Sequence, residues 1–137
     1  MGFFKEFKKN FIEGYCGNMG TLVKYIKYNN KSIPVLHSKN KIVAQAYRNA
    51  RGFHFIVVGD LYMDAPESIQ SFIDYHELGH IYALEHGRPN QFILEDELIA
   101  DKYGVDHTSV ETAVMALVYL QSISDDPQLP DRLKAIM

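Results

Sequence analysis

The sequence predicts an α+β fold, a small mixed or antiparallel sheet followed by a run of helices. Two observations predict it. Between positions 33 and 58, three short segments rich in Ile, Val and aromatic residues are separated by turn formers. Beyond position 64, apolar residues recur at helical spacing between helix-boundary residues.

Taken in order, Phe3, Phe4, Phe7, Phe11, Ile12 and Tyr15 alternate with Lys5, Lys8, Lys9 and Glu13, which predicts an amphipathic helix ending near 17–20. A short second helix is expected through Leu22, Val23 and Ile26, making 1–30 a helical extension. Strands are expected over Ile33–His37, Ile42–Arg48 and Phe53–Val58, the last two as a hairpin, with Gly59 and Asp60 ending the third. A helix from about Ala65 to His86 follows, with Asp64 as N-cap, Pro66 in the first turn, Glu67 completing a capping box and Gly87 as the stop. A third helix is expected to begin after Asn90 and to stop at Gly104. A fourth, capped by Thr108 or Ser109, runs to about Ile123 and is apolar nearly all round, so it is expected to be central. Pro127 and Pro130 precede a short terminal turn.

The bulk properties narrow the function classes. At 137 residues, 47% apolar and 23% charged, the chain fits one globular domain, 1–137, with a core of its own. A net charge of −3 without a basic block argues against a nucleic-acid partner. Cys16 is the single cysteine, so no intrachain disulfide forms and a reducing, cytoplasmic setting is expected. The longest apolar run, Ala113–Leu120, falls short of a membrane span, and the first residues lack the apolar core of a signal peptide. No integral membrane segment is expected. Peripheral contact through the N-terminal amphipathic helix is an alternative to its docking on the domain's own core.

The chemistry concentrates in His76-Glu77-Leu78-Gly79-His80, an H-E-x-x-H pattern. On a helix, residues four apart share a face, so both imidazoles can reach one ion from one rigid element. Glu77, about 100° round from His76, can reach a metal-bound water without being a ligand, as a general base requires. Ile69, Phe72, Ile73, Ala83 and Leu84 define the apolar stripe of this helix, and His76 and His80 fall at its centre. Two inward histidines at this spacing with a glutamate between them favour metal binding over two ordinary core histidines.

A catalytic zinc site needs a third protein ligand. Glu97 and Asp101 share a helix face with Ile93, Leu94, Leu98 and Ala100, whereas Glu95 and Lys102 lie opposite. Two acids in an apolar face are expensive unless paired or bound to a cation. Glu97 is therefore expected as the third ligand and Asp101 as acceptor of a metal histidine's free ring N–H, with His76 the histidine it orients. Gly79 would allow close approach of another backbone, such as the helix carrying Ala100. Tyr103, His107 and Tyr82 are candidates for stabilising an oxyanion. His86 reads as a helix-end residue, and His37 and His54 carry no assigned role.

HELGH followed by E-L-I-A-D resembles the gluzincin class of zinc metallopeptidases, in which the second motif supplies the glutamate ligand. The nearest flavours are the minimal bacterial and phage ImmA-like peptidases and, in the E-x-x-A-D signature, the HtpX-like family. The resemblance spans about Phe53 to Leu120. It implies a zincin-like fold with the sheet packed on the active-site helix, Zn2+ held by His76, His80 and Glu97, and Glu77 as base. It also implies that Phe53–Val58 is an edge strand that binds extended substrate. The membrane helices of the HtpX-like proteins and the helix-turn-helix often attached to ImmA-like ones are absent from the sequence.

The function expected is hydrolysis of peptide bonds in a protein or peptide substrate by metal-activated water. The alternatives are a catalytically silent zinc-binding domain that regulates a protein partner, and an amidase acting on a cell-wall or other non-protein peptide. The intact Glu77 argues against the silent reading, since a structural zinc site is usually closed by four protein ligands. A narrow natural target, recognised partly through the N-terminal helix, is expected.

Overall fold

The computed structural model describes residues 20–40, 42–88 and 93–137. The expected aromatic helix over Phe3–Tyr15 lies outside them. The chain divides into two compact units, 1–64 and 65–137. Together they make the α+β composition expected: a four-stranded mixed sheet in the first, and helices that dominate the second.

The first unit holds β1 (Thr21–Tyr28), β2 (Lys31–His37), β3 (Ala44–Arg48), β4 (His54–Val58) and one turn of helix, α1 (Asp60–Met63). The helix expected through Leu22, Val23 and Ile26 is strand β1 instead, so the 1–30 extension is not helical there. Thr21, Val23, Tyr25, Ile26 and Tyr28 favour an extended, pleated chain. Asn29 and Asn30 both take positive φ (47° and 66°), as the two-residue turn of a tight hairpin requires, and they fold β1 back on β2.

β2 and β4 pair in parallel, and β3 pairs antiparallel with β4, giving the order β1-β2-β4-β3. The expected β3–β4 hairpin is present. Asn49 secures its turn, its side-chain oxygen accepting from the N–H groups of Arg51 and Phe53, each at 3.0 Å. β4 is internal, with strands on both sides, so the strand Phe53–Val58 is not the edge strand expected from the resemblance; among the described residues β1 and β3 are the outer strands. Its residues Phe55–Val58 are all buried, the near-continuous burial of a strand covered on both faces. Leu36, Phe55 and Val57 form a core cluster with Leu22, Tyr25, Tyr47 and Phe53 around it.

The second unit holds α2 (Glu67–Glu85), α3 (Leu94–His107), α4 (Val110–Ile123) and α5 (Leu129–Ile136). α2 starts two residues later than expected. Asp64 is not its N-cap: it closes α1, its N–H donating to Asp60 O at 3.0 Å, and Pro66 caps α2 with no side-chain hydrogen bond. The C-terminus follows expectation. Gly87 takes φ +85°, Gly87 N–H donates to Leu84 O and Arg88 N–H to Ala83 O, a Schellman end.

α3 runs on past Gly104 to His107, because Gly104 is a packing residue and not a stop. A Cβ there would lie 2.7 Å from the Phe72 ring. α4 is capped as expected, Ser109 Oγ accepting from Thr112 N–H at 3.0 Å. It is not central, however. Only Ala113, Ala116 and Leu117 are buried, while Val110, Met115 and Val118 are about half exposed. The expected terminal turn is a two-turn helix, α5, with Pro130 in its first turn. No helix among the described residues is long and apolar enough to cross a membrane.

Candidate metal centre

The site lies wholly in the second unit, where α2 crosses α3. The crossing is close because Gly79 has no side chain. A Cβ on it would stand 2.8 Å from both Ala100 Cα and Tyr103 Cβ. This is the close approach to Ala100 expected from the sequence, and it brings the inward face of α2 against the acids of α3.

His76, Glu77 and His80 are buried on α2, and their potential ligand atoms lie within 4.8 Å of one another. The two Nε2 atoms face each other at 3.1 Å with the rings perpendicular. Glu97, from α3, places Oε1 2.5 Å from His80 Nε2 and 3.5 Å from His76 Nε2. Four atoms bound at about 2.05 Å around a tetrahedral zinc would stand about 3.3 Å apart. Two of the three separations, 3.1 and 3.5 Å, are close to that spacing, and the third, 2.5 Å between Glu97 and His80, is a short hydrogen-bond distance that an ion between them would widen. Glu77 Oε2 comes no nearer than 3.7 Å to His76 Nε2. Glu97, touching both imidazoles from the facing helix, fits the third ligand better, and Glu77 fits a group beside the ion.

Asp101, fully buried, accepts from His76 Nδ1–H at 2.8 Å. That bond sets the ring's orientation and turns Nε2 toward His80 and Glu97. Glu77 Oε1 and His80 Nδ1 are buried without a hydrogen-bond partner. Orphaned polar atoms of this kind are rare in a folded interior. A metal-bound water beside Glu77 would satisfy the first. The donor set of two imidazoles and one carboxylate, with a second carboxylate beside them, fits a zinc ion.

The electrostatics follow from burial and pairing. Burial alone would lower the His76 pKa, but hydrogen bonds to Asp101 and Glu97 and their charges outweigh it, lifting the metal-free value to about 10. Burial opposes ionisation of Glu97 too, yet the two histidines and Arg132 hold it well below the usual carboxylate range. Asp101 is lowered in the same way, against burial, by Arg132 and His76. Glu77 alone among the three acids shifts upward, because burial outweighs the nearby positive groups. Burial thus separates Glu77 from Glu97 and Asp101, which lie among the same charges but are held ionised.

Arg132, on α5, was not anticipated from the sequence. It is buried, donating from Nε to Asp101 Oδ2 at 2.8 Å, from Nη2 to Asp101 Oδ1 at 2.7 Å and from Nη1 to Glu97 Oε2 at 2.9 Å. A signal was available: Leu129, Arg132, Leu133 and Ile136 recur at helical spacing and place a charge in an apolar stripe. A second arginine, Arg88, donates from Nε to the buried Asp96 and from Nη2 to Glu95 Oε2 at 3.2 Å, tying the end of α2 to the start of α3.

The three candidates for oxyanion stabilisation pack against one another. Tyr82, Tyr103 and His107 join Tyr75 and His86 in a row of rings, with neighbouring centroids 4.2–5.9 Å apart. Tyr82 lies about 200° round its helix from His80, and Tyr103 about 200° round from Asp101. His107 Nδ1–H and His86 Nδ1–H donate to the carbonyls of Tyr103 and Tyr82, each at 2.8 Å. The structure brings His76, Glu77, His80, Glu97 and Asp101 together and leaves these rings in a cluster of their own.

Comparison with known protein families, curated proteins and solved structures yielded no match to this chain.

Proposed function

We propose that this chain is a zinc-dependent metallopeptidase of the gluzincin type, with His76, His80 and Glu97 as metal ligands and Glu77 as general base. One observation carries the reading: His76 Nε2, His80 Nε2 and Glu97 Oε1 converge within 3.5 Å of one another from two helices. The H-E-x-x-H helix together with a mixed sheet supports a zincin-like fold, and a peptide or protein is the substrate class.

Zinc bound there would lower the pKa of its water to about 7 and polarise the scissile carbonyl. The chain's own residues do the rest. Asp101 keeps the His76 proton on Nδ1, so that Nε2 presents its lone pair. Glu77 takes the proton of the attacking water on its carboxylate and hands it to the leaving amine.

The test is metal analysis of the purified protein, with His80→Ala and Glu77→Gln beside it. Wild type should carry about one zinc per chain, H80A should lose it, and E77Q should keep it while turnover of a peptide substrate falls by at least about 10³-fold, a base contribution at the upper part of the usual range. A wild type that takes up no zinc would end this reading. E77Q with unaltered biological effect would favour a zinc-binding regulator.

A further inference from the structure

We propose that Arg132 is the positioning residue that makes Glu97 a one-oxygen ligand and thereby sets the affinity of the metal site. The proposal rests on the metal reading above and concerns a different helix from those bearing the ligands.

The geometry is that of one planar group serving two acids. Nη1 occupies Glu97 Oε2, leaving Oε1 to face the histidines. Nε and Nη2 grip both oxygens of Asp101, the same carboxylate that accepts from His76 Nδ1. A guanidinium presents its N–H donors in a rigid fork, so the two carboxylates are held relative to each other as well as to α5. One metal ligand and the residue that orients another are thus fixed by a single side chain. Arg132 is 4% exposed, so water cannot replace these bonds without opening the helix packing.

Charge and geometry pull in opposite directions, which makes the inference testable. A nearby cation repels a divalent ion, so removing Arg132 would strengthen zinc binding if charge dominated. If position dominates, Glu97 released from Nη1 swings, Asp101 loses its clamp and binding weakens. The clamp should dominate, because groups that orient metal ligands are typically worth 10–100-fold in affinity. Lysine keeps the charge but cannot span Glu97 and both oxygens of Asp101.

The experiment measures zinc affinity against a chromophoric chelator and the visible spectrum of the cobalt(II) form, for wild type, Arg132→Lys and Arg132→Gln. Wild type should show the intense bands of four-coordinate cobalt, and X-ray absorption of the zinc form should count four first-shell atoms. Both variants should bind zinc 10–100-fold more weakly, with the weaker bands of a five-coordinate ion as Glu97 supplies both oxygens. Equal affinity and unchanged spectra in both variants, or tighter zinc binding by R132Q, would overturn the proposal. So would a five-coordinate wild-type site, a result that needs no variant to fold. If wild type binds neither metal, it is the metal reading that fails.

Discussion

His76 and Asp101 meet through one oxygen: His76 Nδ1 lies 2.8 Å from Asp101 Oδ1, which also accepts from Arg132 Nη2 at 2.7 Å. The histidine's tautomer and the arginine's anchorage therefore depend on the same buried carboxylate. Substituting Asp101→Asn removes the charge from both bonds and leaves a buried cation short of a partner. Zinc affinity should fall 10–100-fold. Stability should fall by about 3–5 kcal/mol, as when one member of a buried pair is removed. Urea unfolding with and without zinc measures both, and a stability loss below about 1 kcal/mol would contradict the buried pair.

Gly79→Ala tests the crossing. Alanine gains about 1 kcal/mol of helix propensity over glycine. Its Cβ would stand 2.8 Å from Ala100 Cα and Tyr103 Cβ, so α2 and α3 must part. Overpacking of this kind costs about 1–3 kcal/mol, with backbone displacement toward the upper end. The variant should be less stable in urea and bind zinc more weakly, because the same crossing sets the distance from Glu97 to His80. A variant more stable than wild type would show that the helices can part freely.

The metal-free protein should lose stability on the alkaline side. His76 has an ordinary pKa of 6.5 and a folded value of about 10. Its stabilising contribution is complete below pH 6.5 and is lost as pH rises through about 10. For one proton the slope is at most about 1.4 kcal/mol per pH unit. Glu97 and Asp101, shifted downward, contribute above their unfolded values and lose that contribution on acidification. Glu77, shifted upward, runs the other way, its contribution fading as pH rises. Melting temperatures in a chelator should decline from pH 6.5 to 9, and zinc should abolish that decline by taking the proton's place on His76. A flat profile in the chelator would speak against a protonated His76.

The β1–β2 hairpin offers a test remote from the site. Asn30 holds φ +66° in a two-residue turn, a conformation disfavoured for β-branched side chains. Asn30→Val should destabilise the protein by about 1–2 kcal/mol, and Asn30→Gly should be neutral or slightly stabilising. Thermal melts compare the three, and a valine variant matching wild type would contradict the turn geometry.

Local spacing was enough to place much of the site. The i, i+4 interval aligned His76 with His80 and Glu97 with Asp101, because a helix turns about 100° per residue whatever surrounds it. Gly87 and Ser109 marked their helix ends for equally local reasons, a positive φ and a side-chain acceptor. Tertiary structure decided what lies opposite each face. The helix expected through Leu22, Val23 and Ile26 gave way to a strand because β2 supplies a pairing partner. The place of β4 inside the sheet, and the exposure of Val110, Met115 and Val118 on an apolar helix, depend on which neighbours arrive. Arg132 reaches Asp101 and Glu97 across 31 and 35 residues of chain. Contacts at that separation are selected by packing between whole helices, and no local period encodes them.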